Sequence, residues 1–248
     1  MPKEYSVDCD RRVVLAAGSA LILGAALWPM RSLAQGTDGK LRIGVIGSGK
    51  IGGTIGGLWV KAGHLVLFSS RHPEELKGLV TSLGALVQAG TVEQAIAFGD
   101  VIFVAVPYSA LPQIGKDYAA ALKNKIVLDA CNAVAARDGA IAEEVERDGI
   151  GVTSQKYLVG TRLVRSFNTM SYMVFVREAN RLDPKLAVPI AGDDAEAVKI
   201  ASGLVRDAGL DPVVVGKLAD ARRFQRGNPG YGQPVSAAEF KQKLNLAP

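Results

Sequence analysis

The residues best placed to do chemistry in this sequence are glycines. Gly47-Ser48-Gly49-Lys50-Ile51-Gly52 carries them at the first, third and sixth positions, a spacing that brings main-chain amides rather than side chains up to a ligand. Gly47 suits a tight turn, Gly49 leaves the backbone bare where a pyrophosphate would approach, and Gly52 lets a helix close on a strand. The apolar run 41–46 before the loop reads as a strand, and Gly53-Thr54-Ile55-Gly56 after it opens a helix. That order aims the free amides and the positive end of the helix at a phosphate. A glycine-rich turn without a ligand is the simpler alternative, and the flanking strand and helix argue against it.

The end of the next apolar run decides which dinucleotide fits. A carboxylate there would accept hydrogen bonds from a ribose 2′-hydroxyl, whereas a cation would pair with a 2′-phosphate. The sequence reads Phe68-Ser69-Ser70-Arg71-His72, without Asp or Glu. Ser69, Ser70 and Arg71 are therefore expected to hold the 2′-phosphate of NADP, Arg71 through a charge-assisted contact. Lys77 reads as a solvated lysine, His72 as a helix-entry residue before Pro73, and His64 as an exposed turn residue.

These residues need a scaffold that brings strand ends together. Apolar runs at 41–46, 65–69, 101–106, 126–129, 163–167, 187–191 and 212–215 read as buried strands. Stretches 50–62, 73–83, 91–98, 109–122, 139–148 and 194–208 carry helical spacing, and the alternation predicts an α/β fold. The expected architecture is a single doubly wound, mainly parallel sheet with helices on both faces, Rossmann-like, over residues 35–248. The tail, ending in an amphipathic turn at 237–246, is expected to pack back on the sheet.

Composition fits a globular protein: 48% of the residues are hydrophobic and 21% charged, with a net charge of +5 and no long basic run. Nucleic acid is not expected as a partner. The first 34 residues read as a cleaved leader, with Arg11-Arg12 before a moderately apolar run and Ser32-Leu33-Ala34 at its end. The paired arginines resemble a twin-arginine signal, which predicts an exported, periplasmic or extracellular protein with no stable membrane anchor after cleavage. A Sec signal or a retained anchor are the alternatives. Cys9 and Cys131 lie far apart and provide no disulfide framework.

Several segments together resemble the NADPH-dependent deazaflavin (coenzyme F420) reductase family. They are 45–57, Phe68-Ser69-Ser70-Arg71, 100–111, Val127-Leu128-Asp129-Ala130-Cys131-Asn132, Val164-Arg165-Ser166-Phe167-Asn168-Thr169 and Ala191-Gly192-Asp193-Asp194. The resemblance implies a Rossmann-like domain that passes hydride between NADP and a deazaflavin or flavin. By motif, Ser48, Gly49, Lys50, Ile51, Ser70 and Arg71 match the positions that contact NADP. Val106 and Pro107 match the segment beneath ribose and nicotinamide. Asn132 is placed beside the cofactor and facing the acceptor, with Asn168, Thr169 and Met170 on the acceptor side.

Tyr108 is the candidate proton donor for a carbonyl substrate, or else a wall of the nicotinamide pocket. No metal-ligand spacing is present. An NADP(H)-dependent oxidoreductase with a deazaflavin, flavin or similar acceptor is the expected function. A non-catalytic NADP-binding module and a reductase of a small imine or carbonyl are the alternatives, and a homodimer is left open.

Overall fold

Apolar runs and amphipathic stretches alternate in the structure much as their spacing predicts. The strands are β1 (Arg42–Ile46), β2 (Leu65–Ser69), β3 (Val87–Gly90), β4 (Val101–Val104), β5 (Ile126–Asp129), β6 (Arg162–Arg165), β7 (Ala187–Gly192) and β8 (Asp211–Gly216). The helices are α1 (Lys50–Lys61), α2 (Lys77–Leu83), α3 (Val92–Phe98), α4 (Leu111–Asp117), α5 (Ala119–Leu122) and α6 (Ala135–Asp138). They continue with α7 (Ala140–Asp148), α8 (Ile150–Tyr157), α9 (Tyr172–Glu178), α10 (Ala195–Asp207) and α11 (Ala237–Lys243). The computed structural model describes residues 39–247. The expected leader at 1–34 and its arginine pair lie outside the described residues.

All eight strands form one sheet in the order β3-β2-β1-β4-β5-β6-β7-β8. Neighbours run parallel except β6 and β7. Helices cover both faces, so β4 and β5 are buried at every residue, which is why such strands read as unbroken apolar runs. The chain winds outward from β1 to β3 and returns to β4, leaving the switch point between β1 and β4 where such sheets bind ligands. The register aligns Ser69, Ile46, Val104, Asp129 and Arg165 across five strands. The segments that follow these residues therefore emerge side by side on one crest.

Two cores flank the sheet. On one face Trp59 meets Phe103 and Phe167 edge-on, with centroids 5.0 and 5.6 Å apart, and its indole N–H donates to the Leu204 carbonyl of α10 at 2.8 Å. On the other, the tail packs back as expected: Phe224 and Phe240 are fully buried beside Leu111 and Val127.

Where the structure departs from the sequence reading, tertiary contacts explain it. β3 was not expected because Val87-Gln88-Ala89-Gly90 shows no apolar alternation; it is an edge strand paired on β2. α8 begins Ile-Gly-Val-Thr, residues of poor helix propensity, yet Gly151 lets the Leu218 carbonyl approach to 2.0 Å from where a Cβ would stand. The helix expected at 109–122 breaks at Tyr118 into α4 and α5. His64 is buried rather than exposed, accepting from the Leu41 amide at 3.0 Å and facing the Asp207 carboxylate at 2.9 Å.

One polar contact lies inside this apolar frame. Asp129 and Arg165 stand opposite each other at the ends of β5 and β6 and form an ion pair with neither side chain exposed. Arg165 Nη2 also donates to the Cys131 carbonyl at 2.6 Å, and Asp129 Oδ1 accepts from the Cys131 amide at 2.8 Å. Arg165→Met leaves a buried carboxylate unpaired and is expected to cost about 3–5 kcal/mol of unfolding free energy in urea denaturation. Adding Asp129→Leu should recover most of that loss. A single variant as stable as wild type would show that the pair contributes nothing.

Candidate functional site

The glycine loop leaves β1 and enters α1 at the switch point. Gly47 has a φ of +95°, and a Cβ there would stand 2.5 Å from the Ala105 carbonyl oxygen; a Cβ on Gly52 would stand 1.9 Å from the Gly47 carbonyl oxygen. Both glycines are demanded by packing. Gly49 is different: its φ is −74° and nothing lies within 4 Å of where a Cβ would point. The fold does not require a glycine there, and a close-lying ligand would. The first turn of α1 has no side-chain cap and no acidic residue, so its amides and dipole are free for an anion. These observations fit a dinucleotide pyrophosphate.

The neighbouring side chains divide into two sets. Ser48 donates from Oγ to the Ser69 carbonyl at 2.9 Å, tying the loop to the end of β2. Ile51 packs against the core. Lys50 is exposed and carries its ammonium 5.3 Å from the centroid of the Tyr172 ring on α9, a cation–π contact across the mouth of the loop.

At the end of β2 the expectation for Ser69 is corrected. Its side chain is buried and donates to the Val45 carbonyl at 2.8 Å, so it braces β1 against β2 and does not face solvent. Ser70 is half-buried and accepts the His72 amide at 3.0 Å. Arg71 is exposed and has no ion-pair partner among the described residues. Nearby Glu74 is paired with His72 instead, at 3.4 Å.

On the other side of the switch point, Val106 donates its amide to Cys131 Sγ at 3.4 Å, joining the ends of β4 and β5. Pro107 is exposed. Tyr108, the candidate proton donor, is fully buried; its hydroxyl lies 2.9 Å from Ser154 Oγ and donates to the Ile150 carbonyl at 3.3 Å. Burial and the Asp129 charge push the phenol above its ordinary value. A general-acid role is thereby lost: the hydroxyl reaches no solvent and holds its proton tightly. Burial likewise pushes the Cys131 thiol up, reinforced by Asp129.

Asn132 and Asn168 are brought together. Asn132 Nδ2 donates to the Asn168 carbonyl at 2.6 Å, and Asn168 Nδ2 lies 3.4 Å from Asn132 Oδ1 and from the Phe224 carbonyl. Asn168 Oδ1 and Thr169 Oγ1 are buried without a hydrogen-bond partner. The tail crosses them, the Gly232 amide donating to the Thr169 carbonyl at 3.0 Å. Met170 packs into the core rather than lining a cleft. Among the described residues of this segment, exposure begins at Ser171 and Met173.

The loop after Asn132 is held by Asp138, which accepts from the Val134 and Ser109 amides and pairs with Arg137. Burial raises the Asp138 carboxyl, but the bonds from Arg137, Val134 and Ser109 outweigh it and leave it at about 2. Beside this loop lies a cavity of about 510 Å³ between α6–α7 and Arg226-Gly227 of the tail. Sequence reasoning missed it. Gln225-Arg226-Gly227 carries no motif, and only folding brings it against α7.

Residues 42–133 match the family model described as NADP oxidoreductase coenzyme F420-dependent. Metalloreductase STEAP3 of Rattus norvegicus is 30% identical over 201 residues, covering 78% of this chain and 38% of that protein. The chain thus spans less than two fifths of that relative's length. Among solved structures, a hypothetical protein from Sinorhizobium meliloti superposes with a TM-score of 0.67 at 24% identity, covering 79% of this chain and 95% of that one. A candidate F420-dependent NADP-reductase from Arthrobacter sp. FB24 superposes with a TM-score of 0.63 at 22% identity, covering 73% and 87%. The family model carries an NADP oxidoreductase description over 42–133, the curated relative is named a metalloreductase, and the solved structures share this chain's Rossmann-like fold; none of them fixes an acceptor.

Proposed function

We propose that this protein is an NADP(H)-dependent oxidoreductase that moves hydride between the nicotinamide and a deazaflavin, flavin or similar ring acceptor. The observation that carries the reading is the uncapped amide cradle of α1 beside Arg71, which has no ion-pair partner among the described residues, at a strand end without a carboxylate. Gly47, Ser48, Gly49, Lys50 and Gly52 would hold the pyrophosphate, and Ser70 with Arg71 the 2′-phosphate. Val106, Pro107 and Asn132 would border the nicotinamide. When bound, the reduced cofactor supplies a hydride and is left as NADP⁺, while the acceptor takes that hydride and one proton from solvent.

The protein's part is positional. Hydride transfer between stacked rings needs close contact and orientation more than acid–base groups, and the crest supplies a register-fixed row of backbone segments. A carbonyl or imine reductase would need a proton donor, and the hydroxyl of Tyr108 is sealed in the core. The leader at residues 1–34 extends the proposal to a compartment outside the cytoplasm.

Arg71→Ala should weaken NADPH binding by about ten- to a hundredfold, the loss of one charge-assisted contact to a partly exposed phosphate, and leave NADH binding nearly unchanged. Fluorescence titration of both cofactors is the check, and equal NADPH affinity in the variant would move the 2′-phosphate elsewhere. Stopped-flow mixing of the NADPH-loaded protein with deazaflavin, FMN and FAD should bleach the reduced nicotinamide band. Tyr108→Phe is expected to change that rate about twofold or less. A fall of about 10²–10⁴ with cofactor binding intact would instead mark Tyr108 as a general acid.

A further inference from the structure

Lys50 is the charged residue of the glycine loop, and it stands where a helix disfavours a cation. It is the first residue of α1, whose first turn holds no acidic residue and no side-chain cap. The positive end of the helix dipole repels an ammonium at that position. The exposed side chain leaves the helix start and carries its ammonium to 5.3 Å from the centroid of the Tyr172 ring. Among the described residues Lys50 makes no ion pair and no side-chain hydrogen bond, so the face of that ring is what its charge meets.

The two partners differ in freedom. Tyr172 opens α9, which packs against α1, and is half-buried. Phe175, one turn on, is fully buried with its ring centroid 5.9 Å from that of Phe167. Before the helix, Asn168, Thr169 and Met170 are buried, and the Gly232 amide donates to the Thr169 carbonyl at 3.0 Å. At the far end of α9, Glu178 pairs with Arg177 and Arg181 at 2.7 and 2.5 Å. The ring is therefore fixed from both sides, whereas the lysine swings on a flexible four-carbon stem.

Resting on the NADP-binding part of the reading above, we infer that Tyr172 sets the affinity for the cofactor. In the empty protein its ring holds Lys50 as a strap from α1 to α9 across the mouth of the loop, and a dinucleotide's pyrophosphate displaces it. Magnitudes give the direction of the exchange. An exposed cation–π contact is worth about two- to fivefold in an equilibrium. A charge-assisted contact to a phosphate is worth about ten- to a hundredfold. The ring keeps the ammonium while the loop is empty and loses it to a diphosphate. Its hold weakens cofactor binding, because the ligand must undo a contact that only the empty state makes. The two members of one contact thus act on affinity with opposite sign, which a purely structural contact does not do.

Fluorescence titration with NADPH reads that sign. Tyr172→Ala should tighten NADPH binding about two- to fivefold, and Tyr172→Phe, which keeps the ring face, should bind as wild type does. Lys50→Met should weaken binding about tenfold or more. Adding Tyr172→Ala to Lys50→Met should change nothing further, since the ring then has no ammonium to hold. Adenosine 2′-monophosphate, a competitor with the 2′-phosphate but no pyrophosphate, should bind every variant as it binds wild type.

Tyr172→Ala that weakens NADPH binding or leaves it unchanged overturns the inference, as does Lys50→Met that binds NADPH like wild type. In either case, wild-type NADPH binding that Arg71→Ala weakens leaves the cofactor reading intact. Equal shifts for adenosine 2′-monophosphate trace the effects to a general change of the site and overturn the strap. The expected signs in a protein that never oxidises NADPH support the strap and overturn the hydride-transfer reading. A wild type that binds no NADPH overturns both.

Discussion

The crest of the sheet depends on a pair of charges with no access to water. Taking a carboxylate and a guanidinium into an apolar interior is costly, and their attraction offsets the cost only when further hydrogen bonds complete the geometry. Here those bonds come from the backbone of Cys131, clamped at its amide by Asp129 and at its carbonyl by Arg165. The pair thereby fixes where β5 stops and in which direction the chain continues toward Asn132. Cys131 passes the constraint on by accepting the Val106 amide, so the ends of β4, β5 and β6 are set relative to one another.

From that point the constraint runs outward in two directions. Along the chain, Arg137 donates to the Asn132 carbonyl at 2.6 Å and pairs with Asp138, which gathers the Val134 and Ser109 amides. Because the Asp138 carboxyl is held at about 2, below its unfolded value, its contribution to stability is present at neutral pH and is lost only as the pH falls toward that value. Across the sheet, Asn168 carries the constraint to the tail through Phe224, and Gln225 returns it to α7 and α8. The segments that follow β5 and β6 are thus held by one another rather than by a single strand or helix.

The glycine loop works by other physics. There the main chain supplies donors at a helix start, and two exposed cationic side chains, Lys50 and Arg71, stand at its rim. Such a division suits a reaction in which the cofactor carries the chemistry and the protein fixes distance and direction. It also explains why Ser48 and Ser69 have structural tasks: their hydroxyls hold the loop, β1 and β2 in the register that sets the cradle.

The sequence by itself determined the scaffold and the glycine loop. Buried parallel strands need continuous apolar runs and their helices need amphipathic spacing, so β1, β2, β4, β5, β6, β7 and β8 were legible as patterns of local composition. The loop from Gly47 to Gly52 was legible too, since a tight turn at Gly47 and the close approach of α1 at Gly52 demand glycine at fixed positions. Only the tertiary structure decided the rest. The Ser69 hydroxyl faces inward because β2 lies beside β1, Tyr108 is sealed because α8 covers it, and His64 is buried because Asp207 lies 143 positions away in sequence yet 2.9 Å from its ring. Edge strand β3 and helix α8 form on contacts that outweigh weak local propensity. The recess beside Asn132 has no sequence signature because its walls, at 133–146 and 226–227, meet only after the tail has crossed the sheet; side-chain direction and long-range neighbours are fixed by packing, which no local pattern records.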